Sequence, residues 1–493
     1  MQYSHDDIEE ETRQNHIYLD EAKYQAAKAL PMTVAGILRS WTSVLELRAI
    51  GHIGPKELAG RSLALLVVNL TGYPFMYGLG GALESLCSQA FTGARDVHKK
   101  TGVYVQHSLW VFLASYGFLL LLWLNPDVVF RLLAKTDPEV VANAKIYLWF
   151  ECLYFPCIVV QTCLKRFLLA QGLMRPTVYF EAAGLAAMYV SLHVFVWNPS
   201  TSLGYPGVPL ASTMAYATIL VVNVLYICFS DSKQHWGDWT RANWADNVRL
   251  ITQLGVPCAV SGVASYGFAD LATIAVTMLG TEALAIQAVL NSAKSALTRT
   301  GSYVGMVISN RVGNLLGAQN PLGADLSSRV CLSMVLAMTM PFVLAMLLFR
   351  RAIAEFFTTD EAVISGLIPT IPLLAVVVLF DMLSNVLTGV LRGQGRQGAA
   401  AVIRVIALYL VAVPLAYTLC FPLHIGLYGL WVSLAAGFVT AALAEWFLVW
   451  QSDWHAEVLR CMDRINGPNK VVDLIGSPLQ EDSPLISSAV TVY

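Results

Sequence analysis

Twelve apolar runs, each long enough to cross a bilayer, constrain this chain more than any other feature. They lie at about 31–50, 62–87, 102–124, 140–164, 177–197, 205–229, 250–279, 283–305, 330–349, 367–390, 401–422 and 426–450. A helix needs about 20 apolar residues to span the hydrocarbon core. Short polar loops separate the runs, so the expected fold is an all-α membrane protein of twelve transmembrane helices. Composition agrees: only 13% of residues are charged and mean hydropathy is +0.59, whereas a soluble domain is about 25% charged. A formal net charge of −2 gives no reason to expect nucleic acid. The start of the chain is acidic (DDIEEE) and has no apolar signal core, so the first span is expected to direct insertion. Cys87, Cys152, Cys157, Cys163, Cys228, Cys258 and Cys420 lie in or beside apolar runs and read as small hydrophobes, not as a disulfide framework.

The charge of the loops sets the orientation. Loops after even-numbered spans, with their flanking helix ends, hold fifteen lysines and arginines, among them Arg95, Arg166, Arg311 and Arg392. Those after odd-numbered spans hold six: Lys56, Arg61, Arg131, Lys135, Arg350 and Arg351. The positive-inside rule then predicts that both termini are cytoplasmic. The loop between the sixth and seventh spans carries Trp236, Trp239 and Trp244 among charges and reads as a segment lying on the membrane surface.

Two short repeats divide the chain. GALESLCSQAFTGARD (81–96) matches GMVISNRVGNLLGAQN (305–320), pairing Gly81 with Gly305, Ser85 with Ser309 and Gly93 with Gly317. LLAQG (168–172) matches LRGQG (391–395) at almost the same offset. The expected organisation is an acidic N-terminal segment (1–30), an N-lobe (31–229), an interlobe linker (230–249), a C-lobe (250–450) and a C-terminal tail (451–493). Six-helix halves insert with the same orientation, as in transporters whose substrate path runs between parallel repeats.

Within this apolar frame a few charges stand out. Asp381 sits mid-span in IPLLAVVVLFDMLSNVLTGVLRGQGRQ. Placing Asp there is unfavourable by about 2.5–3.5 kcal/mol, so such a residue usually faces a cavity or a partner. At 1.5 Å per residue Asp270 lies about 13 Å, and Asp381 about 21 Å, below the outer ends of their spans, so one cavity is expected to hold both. Lys294, mid-span and one turn after Asn291, is expected to pair with Asp270 or Asp381. Gln89, Asn223 and Asn385 are read as interhelical hydrogen-bond partners or cavity groups. Glu84, Glu151, Glu181 and Glu445 are read as structural. Gly393, Gly395 and Gly398 fit GxGxxG, but they follow a membrane helix and not a strand, so they are read as a tight turn. No ATP-binding GxxxxGK and no HExxH is present. No cofactor is therefore expected, and an ion gradient must supply the energy.

GHIG (51–54), GGALESLCSQAFTGARD, LKRFLLAQGLMRPTVY (164–179), GVPLASTMAYATILVVN (207–223), NRVGNLLGAQNPLGA (310–324) and GVLRGQGRQGAA (389–400) occur in this order across residues 31–450. The ordered set resembles the multidrug and toxic-compound extrusion (MATE) family, in its eukaryotic form. The resemblance implies an antiporter that exports small organic, often cationic or amphiphilic, compounds against an inward proton or sodium flow. It also places acidic positions. Phe380-Asp381 matches the acidic site of the tenth helix. Of two glutamates expected five apart in the seventh helix, the second falls on Asp270 and the first on Ser265. The glutamate of the eighth helix falls on Asn291. Glu46, five residues before Gly51, matches an aspartate of bacterial members; it reads either as a coupling group or as an ion-pair partner of a neighbouring cation.

The expectation is a monomeric exporter in the plasma or a vacuolar or lysosomal membrane, with protons favoured over sodium and with Asp381, Asp270 and Glu46 as coupling or substrate groups. Lys294, Asn291, Asn385 and Gln89 are expected beside them. Glu481-Asp-Ser-Pro-Leu485-Ile486 matches an acidic dileucine signal that adaptors bind. Two alternatives stay open: a flippase for lipid-linked precursors, and a membrane enzyme acting on lipids.

Overall fold

The computed structural model describes residues 5–94, 99–127 and 137–467, with side chains from residue 15. Arg95, Arg131, Lys135 and the Glu481–Ile486 match lie outside the described residues. Twelve long helices follow one another: α1 His5–Ile53, α2 Pro55–Gly93, α3 Lys100–Leu124, α4 Pro138–Ala170, α5 Pro176–Trp197, α6 Gly207–Phe229, α7 Trp244–Thr277, α8 Thr281–Gly317, α9 Pro321–Leu348, α10 Glu361–Gln394, α11 Gln397–Cys420 and α12 Leu427–Trp450. A short amphipathic helix, Arg350–Phe357, precedes α10, and a further helix, α13 Trp454–Asn466, follows α12. The end where α1 begins and α12 finishes is called basal here, and the opposite end distal.

Ten of the twelve are long and apolar enough to cross a membrane unaided. The other two, α1 and α8, hold Arg39, Glu46 and Arg48, and Lys294 and Arg299, within their spans. They are tolerated because they stand against other helices and a polar cavity, not lipid alone.

Each half repeats one packing scheme, with α2 laid along α4 and α8 along α10. Small residues let these backbones close in. A Cβ on Gly389 would lie 2.2 Å from the Gly305 carbonyl oxygen, so only glycine fits there. The repeat-related glycines Gly93 and Gly317 meet each other: a Cβ on Gly93 would stand 2.9 Å from the Gly317 oxygen. The pseudo-twofold relation inferred from sequence thus passes through a contact between its own matched residues.

From residue 5 the acidic segment and the first span share one helix, because α1 runs unbroken through Pro31. The loop after α6 is not merely laid on the membrane surface. It is strapped to α3: Gln106 donates to the Trp236 carbonyl at 3.1 Å, and His107 bridges the Thr240 carbonyl (2.9 Å) and Asn247 (3.0 Å). Trp236 packs edge-on against Phe167, while Trp239 and Trp244 stay exposed. The turn read from the glycine motif is present, with Gly395 in the left-handed region (φ 79°) at the end of α10.

Candidate functional site

The site grows from the mid-span charge of α10. Asp381 is nearly buried, and its Oδ1 accepts from Asn385 Nδ2 at 2.9 Å, one turn along the helix. Asn385 Oδ1 in turn accepts from Ser302 of α8 at 3.2 Å. The other carboxylate oxygen, Oδ2, faces Lys294 Nζ at 3.6 Å. That separation is an ion pair without a hydrogen bond, since N–H···O bonds run to about 3.2 Å. The same ammonium lies 4.4 Å from the centre of the Phe438 ring on α12. A Lys294–Asp381 pair was one of two expected from sequence, and this is the one formed.

The pair opens into a cavity of ≈ 360 Å³. Its walls are Tyr77 of α2, Ser265, Tyr266 and Phe268 of α7, Asn291 and Thr298 of α8, Leu408 of the π-helical stretch of α11, and Leu434 of α12. Three arginines line its basal floor: Arg166, Arg392 and Arg404. Two glutamates read as structural lie fully buried behind them. Glu84 stands 2.9 Å from Arg166 and 3.9 Å from Arg392, as charge contacts without hydrogen-bond alignment. Glu445 accepts from Ser384 (2.6 Å) and Thr388 (2.9 Å) and faces Arg404 at 3.9 Å. Sequence reasoning missed this floor because each glutamate meets its arginine from another helix.

Three expected site residues lie elsewhere. Asp270 does not line the cavity, although Ala269 one residue earlier does, and its Oδ2 is buried with no hydrogen-bond partner among the described residues. Glu46 is in the N-lobe near the distal end, paired with Arg61 Nε at 3.0 Å and with the Tyr147 hydroxyl. Neither Arg39 nor Arg48 is its partner; Arg39 pairs with Glu181 at 3.4 Å. Gln89 is part of the basal seal, donating to the Gly393 carbonyl at 2.8 Å and accepting from Arg464 of α13 at 2.7 Å. The Asn223 side chain is fully buried and has no hydrogen-bond partner among the described residues.

Among the described residues, hydrogen bonds between the lobes run from the basal end to mid-span, where the Tyr266 hydroxyl donates to that of Tyr77 at 2.8 Å and Arg299 of α8 donates to Ser40 of α1 at 2.8 Å. Below these, Ser85 donates to the Arg392 carbonyl (2.5 Å) and Thr92 to the Asn314 carbonyl (2.7 Å). At the extreme basal end the extension of α1 crosses to the other lobe. Glu21 holds Arg311 of α8 through two bonds, 2.7 and 3.1 Å, and accepts from Ser327 of α9 at 2.5 Å. The cavity is therefore shut off basally.

Residues 31–194 and 257–418 match the MatE family model. An uncharacterised transporter of Schizosaccharomyces pombe is 29% identical over 86% of this chain and 78% of its own length. The multidrug and toxin extrusion protein 2 of Mus musculus is 28% identical over 95% of this chain and 81% of its own. A crystal structure of a eukaryotic MATE transporter superposes with a TM-score of 0.82 at 24% identity, covering 91% of this chain and 99% of that one.

Proposed function

The chain belongs to the MATE family of membrane transporters, which are not enzymes, and on that premise we propose that it exports small organic compounds by alternating access in exchange for protons. One observation carries the reading: an ionisable pair, Lys294–Asp381, faces a cavity among the spans whose basal end is closed by hydrogen bonds between the lobes. With the basal end in the cytoplasm, as the loop charges favour, the structure is the outward-facing state. Asp381 is the coupling group. A proton or a cationic group of a substrate satisfies its charge, but not both at once. Each ligand then shifts the balance between the two states by its differential affinity. The groups that Asp381 meets within the pair are N–H donors, Asn385 Nδ2 on Oδ1 and Lys294 Nζ facing Oδ2. Hard metal cations require several oxygen ligands, which favours the proton over sodium. A cavity of ≈ 360 Å³ suits a small compound rather than a lipid-linked precursor.

The test is dye efflux from proteoliposomes under an imposed pH gradient or an imposed sodium gradient. Wild type is expected to respond to the pH gradient, and Asp381→Asn to lose that response at least tenfold. A sodium-driven signal, or full proton-driven efflux by Asp381→Asn, would overturn the reading.

A further inference from the structure

We propose that the cavity selects aromatic, amino-acid-like zwitterions: compounds with an ammonium and a carboxylate a few bonds apart on an apolar body. The inference rests on the exporter reading above and names the substrate class of the same site. It starts from the resident ion pair. Lys294 and Asp381 face each other at 3.6 Å with no hydrogen bond between them, and both side chains are partly open to the cavity. A ligand entering here must deal with two opposite charges at once.

A simple organic cation that takes Asp381 displaces Lys294 and strands its ammonium in a membrane interior. A simple organic anion that takes Lys294 strands Asp381 in the same way. An uncompensated buried charge is the most unfavourable outcome of breaking such a pair. A zwitterion leaves neither: its ammonium pairs with Asp381, its carboxylate with Lys294, and four charges close a square of alternating sign. Exchange with protons is preserved, because the ligand ammonium and the proton still compete for one carboxylate.

The rest of the cavity points the same way. The floor holds three arginines, Arg166, Arg392 and Arg404, against two buried glutamates, Glu84 and Glu445. Arg392 has only a 3.9 Å share of Glu84. The Arg166 Nε and Nη1 atoms are buried and make no hydrogen bond among the described residues, although Nη1 stands 2.9 Å from Glu84 as a charge contact. This excess of positive charge lies at the basal side of Lys294 and favours a ligand that brings its own carboxylate. Phe438 and Phe268 supply the apolar wall, and the face of Phe438 already carries a cation.

Equilibrium binding to the full-length protein in detergent tests this apart from transport. Three matched probes are used: 3-(1-naphthyl)alanine, the amine that lacks its carboxylate, and the acid that lacks its ammonium. Naphthyl fluorescence reports occupancy. In wild type the zwitterion is expected to bind at least tenfold more tightly than either partner. In Lys294→Met the amine becomes the tightest of the three, and in Asp381→Asn the acid overtakes the amine. The proposal is overturned if the amine binds best in wild type, if the order survives Lys294→Met, or if none of the three binds at millimolar concentration. The wild-type comparison decides the matter even where a variant fails to fold. If zwitterion binding holds but efflux ignores the pH gradient, the exchange reading fails and the selectivity stands.

Discussion

A carboxylate inside a membrane protein does whatever its nearest cation allows. Glu84, fully buried between Arg166 and Arg392, is a fixed counter-ion. Removing it in Glu84→Ala leaves two guanidinium groups without compensation, and breaking a buried pair in this way is destabilising by about 3–5 kcal/mol. The expected result is a clear fall in melting temperature in detergent, well beyond that of a lipid-facing substitution such as Phe118→Ala. Glu21 behaves differently because it lies outside the spans. Burial raises its pKa, but Arg311 and the hydroxyl of Ser327 outweigh that and hold the carboxyl below the ordinary range. A lowered pKa means the Glu21 contribution is complete above the usual glutamate value, about 4.3, and fades only as pH falls through the lowered value. The effect of Glu21→Gln on transport is therefore expected to be the same at pH 6 and pH 8; a difference between them would disprove this account. At this scale the sequence was informative where one helix sufficed. Asp381 and Lys294 stood out as lone charges in apolar runs. Asp270 misled, although helical geometry held the correction: five residues turn a helix by about 140°, so Ser265 and Asp270 cannot share one face. Glu46 with Arg61, and Glu445 with Arg404, were out of reach because pairing between helices needs the packing.

At the scale of helices, the spans were plain from apolar length, and the functional extensions were not. The basal part of α1 is polar and reads as an ordinary tail. In the fold it becomes a latch, with Lys28 donating to the Gly172 carbonyl of its own lobe at 2.8 Å while Glu21 and Gln25 hold α8 and α9 of the other. The far end of the chain forms a second one. On α13, Arg464 holds Gln89 of α2 at 2.7 Å and Asn466 the Gly93 carbonyl at 3.2 Å, and Lys100 of α3 donates to the Ile465 carbonyl. The basal part of α1 shows no apolar period and works through polar contacts at a junction of helices, whereas α13 carries Trp454, Val458, Cys461, Met462 and Ile465 at helical spacing and buries the last three of them. In the proposed exchange cycle, basal opening requires both to let go. Arg311→Ala, which removes the partner of Glu21, is expected to shift the resting population towards the basal-open form and to raise hydrogen exchange across residues 15–30. Unchanged exchange there would show that α1 docks without this pair.

For the molecule as a whole, the proposed alternating access comes down to which end of the lobe interface is closed. Here the closed end is built on two repeat-related glycines, Gly93 and Gly317, whose backbones touch. Any Cβ at either place meets a backbone atom, which cannot swing aside as a side chain can. Among the described residues the distal end shows no comparable contact between glycine backbones of the two lobes. A single larger residue at Gly317 should therefore act on the conformational equilibrium and leave the cavity itself intact. Cys258 of α7 is a native reporter: it lines the cavity beneath Gly81, well away from both glycines. With Cys258 as the sole cysteine, a membrane-impermeant thiol reagent should label it from the distal side in the wild-type background and not from the basal side. Gly317→Val is expected to reverse that preference, raising basal labelling several-fold, while affinity for a cavity ligand measured in detergent changes little. Basal labelling that stays absent in Gly317→Val would mean that the glycine contact follows closure and does not permit it.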